Sequence, residues 1–189
     1  MIPLAVPNLT GREAEYLQQC IETTFVSSVG PFVNLFEEKV AEAAGASHAV
    51  ATSAGTTGLH VALEAMGVGR NDLVVLPSFT FIASANAIAY CGASPWLFDI
   101  TEESWTLDPE LLDKHLATET HQEEGCLIHN ATGRRVAAVM PVYTLGMPAD
   151  MDKIVRIAKD YNLPVIADGA AALGATYKGR PSGKLGADL

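Results

Sequence analysis

The alternation of short apolar runs with helix-period segments is what most narrows the fold open to this chain. Residues 48–52, 73–76, 95–98, 136–141 and 164–167 read as strands, whereas residues 58–66, 81–90, 109–116 and 151–161 carry the spacing of helices. Strand and helix alternating in this way build a mostly parallel sheet covered by helices on both faces, an α/β/α sandwich. Two further helices are expected ahead of it. Thr10 and Glu13 make a capping-box pattern, followed by Leu17, Ile21 and Phe25 at near-helical spacing. Pro31 opens the second, in which Phe32, Leu35, Phe36 and Val40 share a face and Gly45 sits where a helix stops. Asp108 is placed to cap the helix that begins at Pro109. The pattern lapses once, between Ala117 and Arg135, where a polar stretch and Asn130-Ala131-Thr132-Gly133 suit an inserted surface hairpin or loop. No internal repeat and no linker divides the chain, and 189 residues with 49% apolar content bury the core of about one domain.

Charge excludes several functions. A formal charge of -10 repels nucleic-acid phosphates and anionic membranes, both of which reward Lys/Arg clusters. No apolar run approaches the roughly 20 residues that span a bilayer, and Met1-Ile2-Pro3-Leu4 lacks a basic region followed by an apolar stretch. A cytoplasmic address follows by default. Cys20, Cys91 and Cys126 form no Cys-x-x-Cys pair, so they are expected to be reduced thiols, mostly buried, with neither a disulfide framework nor a zinc site. The five histidines share no metal-ligand spacing, and His60 reads as a helix residue. No metal is expected.

Ligands of a mostly parallel sheet bind beyond the carboxyl ends of its strands, and two informative groups of residues fall there. Gly55, Thr56 and Thr57 lie between an expected strand and an expected helix, where free backbone N–H groups and hydroxyls converge on a phosphate at the positive end of the helix dipole. An ordinary strand-to-helix turn with a threonine cap accounts for the same residues. Neither a P-loop nor a Gly-x-Gly-x-x-Gly fingerprint is present. Asp168 ends the apolar run 164–167, where an unpaired carboxylate is costly and requires a cationic or hydrogen-bonding partner. A protonated pyridine nitrogen is one such partner; a turn capped by the aspartate is the alternative.

In this order the motifs resemble the DegT/StrS-type family of sugar aminotransferases, pyridoxal-phosphate enzymes of fold type I that act on keto sugar nucleotides. The resemblance runs through Phe25-Val26-Ser27-Ser28-Val29-Gly30, Ser53-Ala54-Gly55-Thr56-Thr57-Gly58-Leu59, Leu76-Pro77-Ser78-Phe79-Thr80-Phe81, Gly146-Met147-Pro148-Ala149-Asp150-Met151-Asp152 and Ala172-Leu173-Gly174-Ala175. The inserted segment from Cys126 to Arg135 further resembles a legionaminic-acid-pathway subgroup that aminates C4 of a nucleotide-linked 4-keto-6-deoxy sugar. The resemblance implies pyridoxal 5'-phosphate as cofactor, with its phosphate on Gly55, Thr56 and Thr57, its ring stacked on Phe81 and its pyridinium paired with Asp168. For Phe81 a place in the core of its helix is the alternative. The resemblance also implies a sugar-nucleotide substrate, glutamate as amino donor, and a homodimer. Ser27, Ser28 and Gly30 would approach substrate or the neighbouring subunit, although a flexible turn between helices explains them equally. Residues 1–189 would then comprise the N-terminal segment and most of the cofactor-binding large domain, without the C-terminal small domain.

Three features depart from that pattern. Ala171 stands where relatives carry Gln, His or Glu reaching the cofactor's phenolic oxygen, and Tyr143-Thr144 replaces His-Leu or His-Tyr. The Schiff-base lysine implied by the resemblance is expected beyond Leu189. Lys178 and Lys184 are polar and glycine-flanked, unlike the desolvated lysine such chemistry requires, so no turnover is expected of residues 1–189 alone. Two other functions remain open: a non-catalytic module binding pyridoxal phosphate or a sugar nucleotide, and a sugar dehydratase of the same family with histidine replacing the lysine.

Overall fold

A computed structural model describes Ile2 and residues 6–189; Met1 and residues 3–5, and with them most of the Met1–Leu4 stretch that lacks the pattern of a leader, lie outside the described residues. In chain order the elements are α1 (Glu13–Thr23), α2 (Pro31–Ala44), α3 (Gly55–Ala65), β1 (Leu73–Pro77), α4 (Ile82–Tyr90), β2 (Ser94–Phe98), α5 (Pro109–Glu119), β3 (Thr120–Glu123), β4 (Cys126–His129), β5 (Arg134–Val139), α6 (Met151–Asp160), β6 (Thr176–Tyr177) and β7 (Arg180–Pro181). Strands β2, β1, β5, β4 and β3 form one sheet in that order, parallel across the first three and antiparallel across the last two steps.

Strand β1 is buried along its whole length because helices cover both of its faces. Its side chains alternate with the period of the pleat. Val74 and Leu76 pack with Leu63 of α3 and Ile88 of α4, while Leu73 and Val75 pack with Leu112 and Leu116 of α5 and Ile154 of α6. Each such side chain contributes about 1.5–3 kcal/mol by leaving water. The expected α/β/α sandwich is therefore present, with a mixed sheet whose centre is parallel. The insertion between Ala117 and Arg135 is the β3–β4 hairpin, and it extends the sheet instead of standing apart from it. Asp108 caps α5 as expected, accepting from the N–H groups of Glu110 and Leu111.

Three expectations need correction. Residues 164–168 do not form a full strand, although they run parallel to the end of β5 and bridge it at Val139–Val165 and Val142–Asp168. Ile166 N donates to Val139 O and Asp168 N to Pro141 O. Pro141 has no N–H to complete the ladder between those bridges. Residues 48–52 form no strand, and Val50 is 81% exposed. Their anchor is a bond from Ala51 N to Glu37 Oε1, 2.8 Å. The Thr10–Glu13 capping box does not form either. Arg12 is the N-cap of α1, and the Thr10 hydroxyl donates to Asn8 Oδ1.

Pro31 begins α2 and Gly45 ends it with φ 71°, as the sequence predicts. Yet α1 and α2 contain no buried residue. Leu17 and Ile21, on the expected apolar face of α1, are each 65% exposed. Of the three thiols only Cys91 is buried, Cys20 and Cys126 being half-buried, and all are free. No helix among the described residues is long and apolar enough to cross a membrane.

Candidate functional site

Segments 79–81, 142–145 and 168–171 follow the carboxyl ends of β1, β5 and the parallel stretch beside it. Together with Gly55 at the start of α3, they enclose an apolar-walled cavity of about 650 Å³. Two backbone bonds, Asp168 N to Pro141 O and Tyr143 N to Asp168 O, both 2.9 Å, fix Asp168 at this edge. Its side chain belongs to the cavity wall although the residue is only 7% exposed. Ser84 Oγ donates to Asp168 Oδ2 at 2.7 Å, and Ala170 N to Oδ1 at 3.2 Å. The buried carboxylate is thus held by neutral donors.

Ser84 escaped the sequence reading. It is fully buried on α4, and a second contact with the Thr80 hydroxyl, 2.8 Å, holds it in place. The available signal was its position one helical turn beyond Phe81 in an alanine-rich helix. Phe81 itself is the N-cap of α4 and 77% exposed. That exposure excludes the core-packing alternative, and its side chain faces the cavity.

Gly55, Thr56 and Thr57 are not a turn between strand and helix but the first turn of α3, with Ala54 as N-cap. Their N–H groups have no carbonyl four residues back within the helix, and they sit at the positive end of its dipole. Gly55 lines the cavity. Thr57 is exposed, and its hydroxyl turns back to the N-cap, donating to Ala54 O at 2.7 Å and accepting from Ala54 N at 3.1 Å. Thr56 is half-buried. Ser27, Ser28 and Gly30 occupy the turn between α1 and α2 and do not join the cavity wall. Gly30 has φ 141°, and a Cβ there would stand 2.9 Å from Phe25 Cβ, which gives the glycine a local reason.

Ala171, Tyr143 and Thr144 all border the cavity. Neither buried hydroxyl, on Tyr143 or on Thr144, has a hydrogen-bond partner, and burial pushes the Tyr143 phenol up to about 12. Gly146 has φ 86°, and a Cβ on it would lie 2.9 Å from Ala171 O, so this turn packs closely on the Ala171 backbone. The two lysines lie elsewhere. Lys178 occupies the turn of the β6–β7 hairpin with φ 51° and pairs with Asp152 at 2.6 Å. Hydrogen bonding to Asp152 raises its pKa, the opposite of what a nucleophilic amine needs. Lys184 borders an adjoining groove beside the end of α2, which shares Tyr143 and Gly169 with the cavity, and is not itself part of the cavity wall.

Comparison with known proteins identifies the family and the fold. Residues 7–188 match the model of the DegT/DnrJ/EryC1/StrS aminotransferase family. GDP-perosamine synthase of Caulobacter vibrioides (strain ATCC 19089 / CIP 103742 / CB 15) is 43% identical over 185 residues, 98% of this chain and 46% of that protein. EpsN of Bacillus subtilis (strain 168), which carries the name of a pyridoxal phosphate-dependent aminotransferase, is 37% identical over 185 residues, 98% of this chain and 45% of that protein. The crystal structure of 3-amino-5-hydroxybenzoic acid (AHBA) synthase superposes with a TM-score of 0.81 at 33% identity, covering 97% of this chain and 44% of that one. The chain spans about half the length of the curated relatives it matches.

Proposed function

The chain belongs to the DegT/DnrJ/EryC1/StrS aminotransferase family, and from that premise we propose that it is the cofactor-binding part of a sugar-nucleotide aminotransferase dependent on pyridoxal phosphate. The single observation that carries this reading is the buried Asp168 carboxylate, held by Ser84 in the wall of a cavity faced by the exposed ring of Phe81. A cavity of about 650 Å³ with mostly apolar walls and few polar groups suits a small planar ligand.

Each residue has a definite task in this proposal. The N–H groups of Gly55, Thr56 and Thr57 bind the phosphate, with no lysine or arginine needed. Phe81 stacks on the ring, and Asp168 accepts a hydrogen bond from the ring N–H and keeps that nitrogen protonated. Ser84 orients the carboxylate. Bound pyridoxal phosphate supplies an electron sink for amino-group transfer. The substrate is a nucleotide-linked 4-keto-6-deoxy sugar, converted to the 4-amino sugar with glutamate as donor, for surface polysaccharide or nonulosonic acid synthesis. Within that class, the resemblance of the Cys126–Arg135 segment to the legionaminic-acid-pathway subgroup favours an N-acetylhexosamine. The exposed Ser27–Gly30 turn approaches substrate or a second chain in a cytoplasmic homodimer of the full-length protein. Residues 1–189 alone do not turn over, because Lys178 and Lys184 both lie outside the cavity wall.

Equilibrium dialysis of pyridoxal phosphate against the purified chain tests the reading. Reversible binding is expected, weakened about tenfold or more by Asp168→Ala and by Phe81→Ala, and unchanged by Lys178→Ala or Lys184→Ala. Absent binding, or undiminished binding by Asp168→Ala, overturns it. Ala171 favours a second reading, a non-catalytic module. Amino transfer to a 4-keto sugar nucleotide by the full-length protein excludes the module.

A further inference from the structure

Away from the cavity, α3 and α4 bring together three side chains of different ligand chemistry. His60 and Glu64, four residues apart, share one face of α3, and Cys91 is the C-cap of α4 packed against it. His60 Nε2 lies 3.4 Å from Glu64 Oε1. A nitrogen of His60, a carboxylate oxygen of Glu64 and the Cys91 sulfur all fall within 4.8 Å of one another.

Hydrogen bonding leaves this cluster incomplete. His60 Nε2 is shut off from solvent and has no hydrogen-bond partner, a costly state for a polar nitrogen. The Cys91 thiol reaches only Ala87 O, at 3.4 Å. The His60 ring is meanwhile braced by an edge contact with Tyr90, 5.7 Å between centroids. An oriented imidazole thus stands beside a thiol and a carboxylate.

We propose that His60 Nε2, the Glu64 carboxylate and Cys91 Sγ bind a divalent transition metal of the zinc type. Mixed nitrogen, oxygen and sulfur donors suit zinc, whereas magnesium and calcium take oxygen ligands. Zinc–ligand bonds of about 2.0–2.3 Å place neighbouring donors of a tetrahedron about 3.3–3.7 Å apart. Donors within 4.8 Å of one another close to that spacing with shifts of about an ångström shared among the three side chains, of which Glu64, 63% exposed, is the freest to rotate. Its open side leaves the fourth position to water. Cys91 binds as thiolate, its proton passing to solvent. The metal clips α3 to the far end of α4, and the near ends of the same helices carry Gly55, Phe81 and Ser84. It is a structural clip behind the cavity, independent of what the cavity binds. Sequence spacing concealed it because Cys91 comes from a different helix.

Titration of the metal-free 189-residue chain with Co²⁺, followed by competition with Zn²⁺ and without pyridoxal phosphate present, tests this. Tetrahedral cobalt bands with a thiolate charge-transfer band are expected, and Zn²⁺ should raise the melting temperature. Cys91→Ser, Cys91→Ala and His60→Gln should each weaken Zn²⁺ binding by at least about tenfold. Cys126→Ser and His129→Gln, which alter a half-buried thiol on β4 and the histidine near Glu119, should leave binding unchanged. Metal-free variants that melt as the wild type does ensure that lost binding is not lost folding. If no thiolate band appears, or if it persists in both Cys91 variants, the proposal is overturned.

Discussion

Ser84 Oγ and Asp168 Oδ2 lie 2.7 Å apart, tying the first turn of α4 to the end of the parallel stretch beside β5. This bond fixes a buried charge at the cavity edge. Ser84→Ala should therefore lower stability by about 1–3 kcal/mol, read by chemical denaturation. A double-mutant cycle with Asp168→Asn should show a coupling; strictly additive losses would contradict a direct bond.

Arg135 at the opposite end of the sheet makes an independent prediction. Its Nε donates to Asp72 Oδ1 at 2.9 Å and its Nη2 to Oδ2, while the Asp72 side chain is only 10% exposed. Arg135→Ala leaves the Asp72 carboxylate only the bond from Gly69 N and should cost about 1–3 kcal/mol in a denaturant titration. Because Arg135 is remote from the cavity, pyridoxal phosphate affinity should survive below the unfolding transition.

Tyr143 sets an alkaline limit. Its phenol ionises at about 12 in the folded chain, against 10.0 ordinarily. The unfolded chain therefore loses this proton first, and the associated stability, full below pH 10.0, disappears as pH rises to about 12. Tyr143→Phe should remove about 2–3 kcal/mol of that alkaline loss, with phenolate absorbance tracking the change. Equal slopes in both proteins would place the loss elsewhere.

Asp152 works in the acid direction. Hydrogen bonds from Lys178 and Arg180 hold its carboxyl below the ordinary value of 3.8. Its contribution is present above that value and fades as pH falls through the lowered one. Melting temperatures of wild type and Asp152→Asn should differ at neutral pH, converge in acid, and draw together when salt screens these exposed pairs. A gap that persists in acid would contradict the assignment.

Much of the site was legible because its residues announce themselves locally. Asp168 closes an apolar run, and Gly55 lies just ahead of a helical pattern; both lie at the cavity. Ser84 was not legible because its partner is remote in sequence and its burial comes from tertiary packing. Residues 48–52 resemble a strand in composition, but strands exist by pairing, and no neighbour supplies the ladder among the described residues. Thr10 and Glu13 have the right spacing for a cap, yet α1 starts only at Glu13 with Arg12 as its N-cap, two residues too late for Thr10 to serve. Pro141 was visible from the start; its effect on the stretch 164–168 required knowing which strands are neighbours.

The cavity wall contains no lysine, arginine or histidine, and the chain carries a net charge of -10. A phosphate ester approaching from bulk solvent therefore meets repulsion at long range and attraction only within reach of the α3 N–H groups. Its capture should quicken as salt is added, the reverse of the kinetics at an anion site built from basic side chains.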